Sequence, residues 1–178
     1  MSTNQKRRRV LWAAMSATAF CALIISIGRA TPILPQAVVT QEMRSLAGIH
    51  DLKFIIEPLP LDIEQAVGRR AVRRHCTPRL SDRGFGLSDD EKAAIVLRLS
   101  INYREDEAVR NGAALVCFLT LEQPVRIERL DTTLVIPTWT GASIDIVAKD
   151  RLHPTLMRGL DEVFDDFFLK SALASRIP

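Results

Sequence analysis

The feature that most constrains the fold is a regular alternation of residue types between Ile95 and Arg104. A spacing of two is the period of a β-strand whose side chains point alternately to opposite faces of a sheet. Antiparallel sheets tolerate one buried and one wet face, whereas parallel sheets are usually covered on both faces. The stretch therefore predicts a one-sided sheet. One parity holds Ile95, Leu97, Leu99, Ile101 and Tyr103, and the other holds Val96, Arg98, Ser100, Asn102 and Arg104.

Two further strands are predicted to follow this one as a meander. Residues 113–122 are apolar on both parities and indicate a more central strand, and residues 131–140 are rich in Thr, Val and Ile. The charged segment from Glu105 to Gly112 ends in an Asn-Gly dipeptide, which is typical of a turn. The segment 123–129 has two interpretations. It either prolongs the second strand past a bulge at Pro124 or forms a loose connection.

A first strand and a helix are predicted to precede the meander. Residues 49–58 have the pattern of a strand, with Leu52, Phe54 and Ile56 on one parity, and prolines 58 and 60 end it. Asp62 is a suitable N-cap for a helix that runs to about His75, and Thr77-Pro78 is expected to break or kink it. The segment 85–92 is predicted to be a loop. The inner face of the helix would consist of Ile63, Val67 and Ala71.

The last helix has the clearest amphipathic pattern in the chain. Asp150 is its predicted cap, Pro154 suits its first turn, and residues 141–149 are expected to cross back to it. The dry face of the sheet is its expected partner, with a partner helix as the alternative. Its apolar residues fall within about 120° on a helical wheel. They are Leu152, Leu156, Leu160, Val163, Phe164 and Phe167.

These elements predict an α+β fold of two layers in the order β-α-β-β-β-α. We expect a four-stranded, mostly antiparallel sheet with two helices on one face, preceded by an N-terminal hydrophobic helix. The predicted parts are a leader over 1–30, a linker over 31–48 and a globular domain over 49–178. Trp139, at the end of the fourth strand, is expected to be a core anchor, with ligand or lipid contact as the alternative.

The leader has the form of an export signal. Four basic residues, 6–9, precede an uncharged segment over 10–28. A basic start places the N-terminus in the cytoplasm and the rest of the chain across the membrane. Two outcomes stay open. Cleavage at Gly28-Arg29-Ala30 would release a chain starting at Thr31, whereas retention would leave 10–28 as a single membrane span.

The basic net charge comes from this leader. The chain has 24 Lys and Arg against 21 Asp and Glu, and five of the basic residues lie in residues 1–30, which contain no acid. The remaining 19 basic residues leave the body at about −2. A nucleic-acid partner is therefore not expected, because such domains are usually strongly basic.

Four arginines stand on one side of the predicted helix over 62–75. At about 100° per residue they span an arc of roughly 140°. A basic face of this kind could contact anionic lipid headgroups or an acidic partner. The alternative is an ordinary solvated helix face. The residues are Arg69, Arg70, Arg73 and Arg74.

The cysteines leave a disulfide open. Cys21 lies in the leader, and Cys76 and Cys117 lie in the body. Disulfides persist in oxidising compartments, so Cys76 and Cys117 could pair if the body is exported. Two free buried thiols are the alternative.

Recognisable catalytic and metal-binding motifs are absent from the sequence. No glycine-rich phosphate loop and no Cys-x-x-Cys or His-Glu-x-x-His spacing occurs, and His50, His75 and His153 are far apart. We expect no cofactor, no metal and no enzymatic activity. The rival interpretations are a small hydrolase that uses His153 or the acidic loop at Asp89, and a carrier of a small ligand. The carrier would need a cavity between sheet and helices.

Several short motifs of the predicted domain match known proteins. They are Glu57-Pro58-Leu59-Pro60, Gln123-Pro124-Val125, Thr138-Trp139, Val163-Phe164 and Phe167. In these motifs the chain resembles small exported bacterial envelope proteins of unassigned function, and its fold is loosely similar to the amino-terminal domain of TolB. The resemblance covers about residues 50–175 and implies an α/β envelope module without known catalytic residues.

These observations together predict an exported binding or assembly module. It would stand on the periplasmic face of the inner membrane, held through residues 10–28, or be secreted after cleavage. Its sheet edge or the four arginines would bind a partner in the envelope, since a strand edge is a ready surface for strand addition.

Overall fold

In a computed structural model of the chain, residues 41–90, 93–105 and 112–176 are described. The predicted leader, its cleavage site and candidate membrane span, and most of the predicted linker lie outside these residues. Within them, no helix is long and apolar enough to cross a membrane.

The body is built on one five-stranded sheet with the strand order β2-β1-β3-β4-β5. Strands β3 to β5 pair antiparallel and form the predicted meander. β1 pairs parallel with both β2 and β3. The strands are β1 (Asp51–Ile56), β2 (Gly86–Leu87), β3 (Val96–Glu105), β4 (Gly112–Ile127) and β5 (Thr132–Ala148).

The prediction of four strands was wrong by one, because β2 lies where a loop was expected. β2 has only two residues, too few for any alternation to appear in the sequence. It pairs through Gly86 and Leu87 with Asp51 and Leu52 of β1. The α+β class is confirmed, and the sheet is mixed.

The meander strands are longer than predicted. β4 continues through Pro124, which agrees with the first of its two interpretations. β5 runs to Ala148, so the expected crossing over 141–149 was wrong. Small residues at its inward positions, Gly141 and Ser143, hid the alternation. The register shifts opposite Leu121, where β5 carries a bulge.

Four helices complete the described fold. They are α1 (Gln41–Arg44), α2 (Leu61–Ala66), α3 (Arg69–Asp82) and α4 (Leu152–Ala174). α4 packs on β4 and β5 and also contacts α3. Short 3₁₀ turns over Glu128–Leu130 and Lys149–Arg151 flank β5.

The predicted helix over 62–75 is two helices. Gly68 separates them with a φ of 80°, a left-handed conformation that favours glycine. α3 starts at Arg69 and continues through Pro78 to Asp82, so Pro78 does not end it. Ile63 is buried as expected, but Val67 and Ala71 are only half-buried. The buried face of α3 consists of Val72, Cys76 and Leu80.

Both predicted aspartate caps were wrong. α2 follows Pro60 with no side-chain cap, and Asp62 lies inside its first turn. α4 follows Arg151, and Asp150 belongs to the preceding 3₁₀ turn. Pro154 does lie in the first turn of α4, where its missing N–H costs no helical hydrogen bond.

The core lies between the sheet and α4. All six predicted apolar residues of α4 are buried, which confirms its amphipathic pattern. Trp139 is 1% exposed and its ring centroid lies 5.2 Å from that of Phe167, so the core-anchor prediction is confirmed. Gly141 leaves room for this indole, because a Cβ there would lie 2.6 Å from Trp139 Cη2.

The opposite face of the sheet divides into two halves. On β3, Asn102 and Arg104 are exposed, as the alternation predicted. On β5, Ile144 and Ile146 are 73% and 76% exposed. They pair with Val116 and Ala114 of β4, which also carries the exposed Phe118. The open face is therefore polar on β3 and apolar on β4 and β5.

Candidate anion-binding cavity

The four arginines singled out in the sequence lie in the first two turns of α3. Val72, Cys76 and Leu80 bury the opposite side of this helix, which leaves the arginines exposed. They line an open cavity of about 1140 Å³ whose other wall is β1. The residues are Arg69, Arg70, Arg73 and Arg74.

The cavity exists because β2 is much shorter than β1. On one edge of β1, the N–H of Lys53 donates to Ile95 O at 2.9 Å, and that of Glu57 donates to Leu99 O at 2.8 Å. On the other edge, Ser88 N–H donates to Leu52 O at 3.0 Å. β2 pairs with β1 no further, so the cavity occupies the place of the missing strand beside Phe54, Ile55 and Ile56.

Arg69 differs from the other three arginines because it is part of the framework. Its Nη2 donates to the backbone oxygen of Ile56 at 2.6 Å. Its backbone N–H also approaches both carboxylate oxygens of Glu64, at 3.3 and 3.4 Å. Arg69 therefore connects the start of α3 to the end of β1.

Arg98 reaches the cavity from β3 and is neutralised by two carboxylates. Its Nη1 lies 2.5 Å from Glu57 Oε1, and its Nη2 lies 2.9 Å from Glu122 Oε2. Hydrogen bonds to Glu122 and then to Glu57 raise the pKa of Arg98 above its usual range. Arg98 therefore stays charged and holds Glu57 in place.

The remaining cations of the cavity have no such partners. Six cationic side chains and two carboxylates line it, an excess of four positive charges on a body whose net charge is about −2. Across residues 41–90, 93–105 and 112–176, no hydrogen bond or ion pair involves the side chains of Lys53, Arg70, Arg73 or Arg74. Arg70, Arg73 and Arg74 are exposed and Lys53 is half-buried. Together on a concave surface, these four charges favour an anionic ligand.

The other residues considered for chemistry are dispersed. His50 and His153 are exposed, and His75 Nε2 lies 2.7 Å from Asp161 Oδ1 on α4. Asp89 lies at the cavity, whereas Asp150 is exposed on the 3₁₀ turn before α4. In the described part of the chain, no group of three His, Cys, Asp or Glu residues could hold a metal ion.

The two body cysteines are free in the structure. Cys76 on α3 and Cys117 on β4 are both buried. Burial raises the pKa of each thiol to about 12. The candidate disulfide is therefore not formed here, and Cys21 lies outside the described residues. The disulfide stays a prediction for the exported protein.

Sequence reasoning identified the arginines but missed the opposite wall. Lys53 stands next to Phe54 in the first strand, and Arg98 was expected only to face outwards. Their place at the cavity depends on the parallel pairing of β1 with β3, which joins segments far apart in the chain. The sheet edge and the arginine face were predicted as alternative binding surfaces. No local sequence pattern indicates that the two lie beside each other.

Comparisons with known proteins give a distant structural likeness. No family model and no curated protein matches the chain. Among solved structures, one similar chain is the crystal structure of a minor lipoprotein from Acinetobacter baumannii. It is 16% identical with a TM-score of 0.34, and the match covers 74% of this chain and 92% of that chain. Similarity to the TolB amino-terminal domain stays a prediction.

Proposed function

We propose that the protein is a binding module of the bacterial cell envelope that holds an anionic partner in the cavity between α3 and β1. The observation that carries the proposal is the group of unpartnered cations, Lys53, Arg70, Arg73 and Arg74, on a concave surface. A site that served only stability would pair such charges with carboxylates, as Arg98 is paired.

The leader supports a location for this activity. Its basic start and uncharged segment over 10–28 would keep the N-terminus in the cytoplasm and display the body beyond the inner membrane. A body of negative net charge with one basic cavity is suited to selective capture, because the rest of its surface repels anions.

Three substitutions test the proposal. Arg70→Gln, Arg73→Gln and Arg74→Gln together remove the free charges of α3, while Arg69 keeps its bond to Ile56. The matched control is Arg104→Gln, Arg129→Gln and Arg151→Gln, which removes the same charge from exposed positions away from the cavity.

Binding is measured by calorimetry with the full chain in a neutral detergent. The probes are an acidic peptide of alternating Val and Glu, soluble dihexanoyl phosphatidylglycerol, and free glutamate. We expect at least one probe to bind, and the cavity variant to weaken it tenfold or more while the control stays within about twofold. Absence of binding to all three, or equal losses in both variants, would contradict the proposal.

A small-ligand carrier is the second candidate, because a cavity of about 1140 Å³ is large enough to hold a small molecule. Ligand sites typically measure about 300–1,000 Å³. Preference for free glutamate over the peptide would support the carrier.

A further inference from the structure

Resting on the proposed function, we infer that the partner is an extended acidic segment of another protein that adds as a strand to β1. Anionic headgroups and acidic peptides share the negative charge that the cavity attracts. The two kinds of ligand differ in how they can bind to the floor of the cavity, which is the free edge of β1.

The floor is the edge of a strand. Alternate residues of β1 point their backbone groups to opposite edges, and Lys53 and Glu57 point theirs to β3. Phe54 and Ile56 therefore present theirs to the cavity. Among the described residues, no strand pairs with this edge beyond Leu52, and Arg69 already binds the oxygen of Ile56.

An edge of this kind offers alternating N–H donors and C=O acceptors. A phosphate or a free carboxylate supplies acceptors only, and it would satisfy the N–H groups but not the carbonyl of Phe54. A peptide backbone supplies both and can continue the sheet where β2 ends. The edge therefore fits a peptide better than a headgroup.

The walls select the side chains of that peptide. Residues of a strand point alternately to its two faces. Acidic residues at alternate positions can therefore face the arginines of α3 together. The remaining side chains would meet apolar wall residues, which include Ile55, Pro58 and Leu87. The preferred segment is thus extended, with acidic and apolar residues in alternation.

Backbone methylation of the peptide tests this inference. The probe is an acetylated and amidated (Val-Glu)₄ peptide in two versions, one N-methylated at every Val and one at every Glu. Both keep all charges, but in a strand only one set of N–H groups points at the protein. Each lost hydrogen bond costs about 0.5–1.5 kcal/mol, or about twofold to tenfold in affinity.

We expect one methylated version to lose up to about tenfold in affinity for the full chain, because the carbonyl of Phe54 loses its donor, and the other to stay within about twofold. At the same peptide concentration, hydrogen exchange at the amides of Phe54 and Ile56 should slow more with the unmethylated peptide than with the weaker methylated version. Equal binding or equal loss for the two versions would overturn the inference.

The failures of the two proposals are distinguishable. Binding of dihexanoyl phosphatidylglycerol without the peptide, with loss in the variant lacking Arg70, Arg73 and Arg74, would leave the proposed function and remove strand addition. The proposed function would also stand, and strand addition would also fall, if both methylated peptides bind alike and depend on these arginines. If no probe depends on them, both proposals fall.

Discussion

The first arginine of α3, Arg69, has a structural role that the three arginines after it do not share. Arg69 binds the backbone of Ile56, whereas Arg70, Arg73 and Arg74 have no partner among the described residues. Exposed residues without contacts usually contribute little to stability. Mutual repulsion of three like charges on one helix is also mildly destabilising. Their presence therefore agrees with the proposed role in binding an anionic partner.

We expect stability measurements to separate these roles. Arg69→Gln should lower the free energy of unfolding by about 1 kcal/mol, because the buried end of β1 loses a hydrogen bond. The triple replacement of Arg70, Arg73 and Arg74 by Gln should change it by less than about 0.5 kcal/mol. Urea unfolding followed by circular dichroism measures both. A large loss in the triple variant would mean that these arginines are structural.

Gly141 is expected to be needed for the position of the Trp139 ring. A methyl group at Gly141 would overlap the indole, so Gly141→Ala should cost about 1–3 kcal/mol of stability. In a Trp139→Phe background, where the ring is smaller, the same change should cost less. Thermal unfolding of the parent, the two single variants and the double variant measures the cost in both backgrounds. An equal cost would show that the two residues are independent.

The buried thiols should make the protein sensitive to alkali. Because the pKa of Cys76 and of Cys117 is about 12 in the folded protein, against an ordinary value of 9.0, the unfolded state loses its protons first as pH rises. Their contribution to stability is complete below about pH 9 and is lost between pH 9 and 12. The fall is at most about 1.4 kcal/mol per pH unit for each thiol.

Urea unfolding across this pH range tests the effect. The variant with Cys76→Ala and Cys117→Ala keeps every other titrating group of the body, so its stability should fall less steeply above pH 9. Identical slopes in the two proteins would contradict burial of the protonated thiols.

At the scale of elements, strong periodicity was predictable and short or interrupted patterns were not. The amphipathic face of α4 and the alternation of β3 are long enough to give the correct element from sequence alone. The prediction of one helix over 62–75 was wrong because a glycine at position 68 also fits a helical pattern. In the structure, Gly68 has a left-handed conformation that breaks the helix. The prediction ended β5 too early because the inward residues beyond Thr140 begin with Gly141 and Ser143, which are too small to give an apolar alternation.

A charged cluster that joins α3 to α4 also escaped prediction. Arg79 lies 2.5 Å from Asp161 and 2.7 Å from Asp165, and His75 shares the Asp161 oxygen. Asp161→Asn should destabilise the protein by about 1 kcal/mol, because Arg79 is mostly shielded from water. Urea unfolding at neutral pH measures the loss.

Asp166→Asn is the matched control for this cluster. Asp166 pairs with Lys170 one turn along the same helix. Such a pair is worth about 0.2–0.5 kcal/mol, and its loss should be correspondingly small. Equal effects of the two substitutions would show that the contact between α3 and α4 contributes nothing beyond a local helix pair.

At the scale of the whole molecule, the cluster of cationic side chains lies at the same place as the unpaired edge of the sheet. A body with a net charge of about −2 concentrates six cations at the edge where the sheet lacks a strand. The arginine half of this site could be predicted, because four arginines in one short run are visible in the sequence. The other half could not, because it depends on the parallel pairing of β1 with β2 and β3 and on the length of β2.

Salt should weaken binding of the acidic peptide. Arg70, Arg73 and Arg74 are exposed, and exposed charges are screened with a Debye length of about 10 Å at 0.1 M salt and about 3 Å at 1 M. We expect the affinity to fall steadily between these concentrations in the parent protein and much less in the variant without Arg70, Arg73 and Arg74. Salt-independent binding would indicate that the peptide uses another surface.

A charge exchange tests the central claim most directly. Replacing Arg70, Arg73 and Arg74 by Glu turns the cavity's excess of four positive charges into an excess of two negative ones. Calorimetry compares (Val-Glu)₄ with (Val-Lys)₄ on the parent protein and on this variant. The parent should prefer the acidic peptide and the exchanged variant the basic one, each by tenfold or more. An exchanged variant that still preferred the acidic peptide would contradict binding in this cavity.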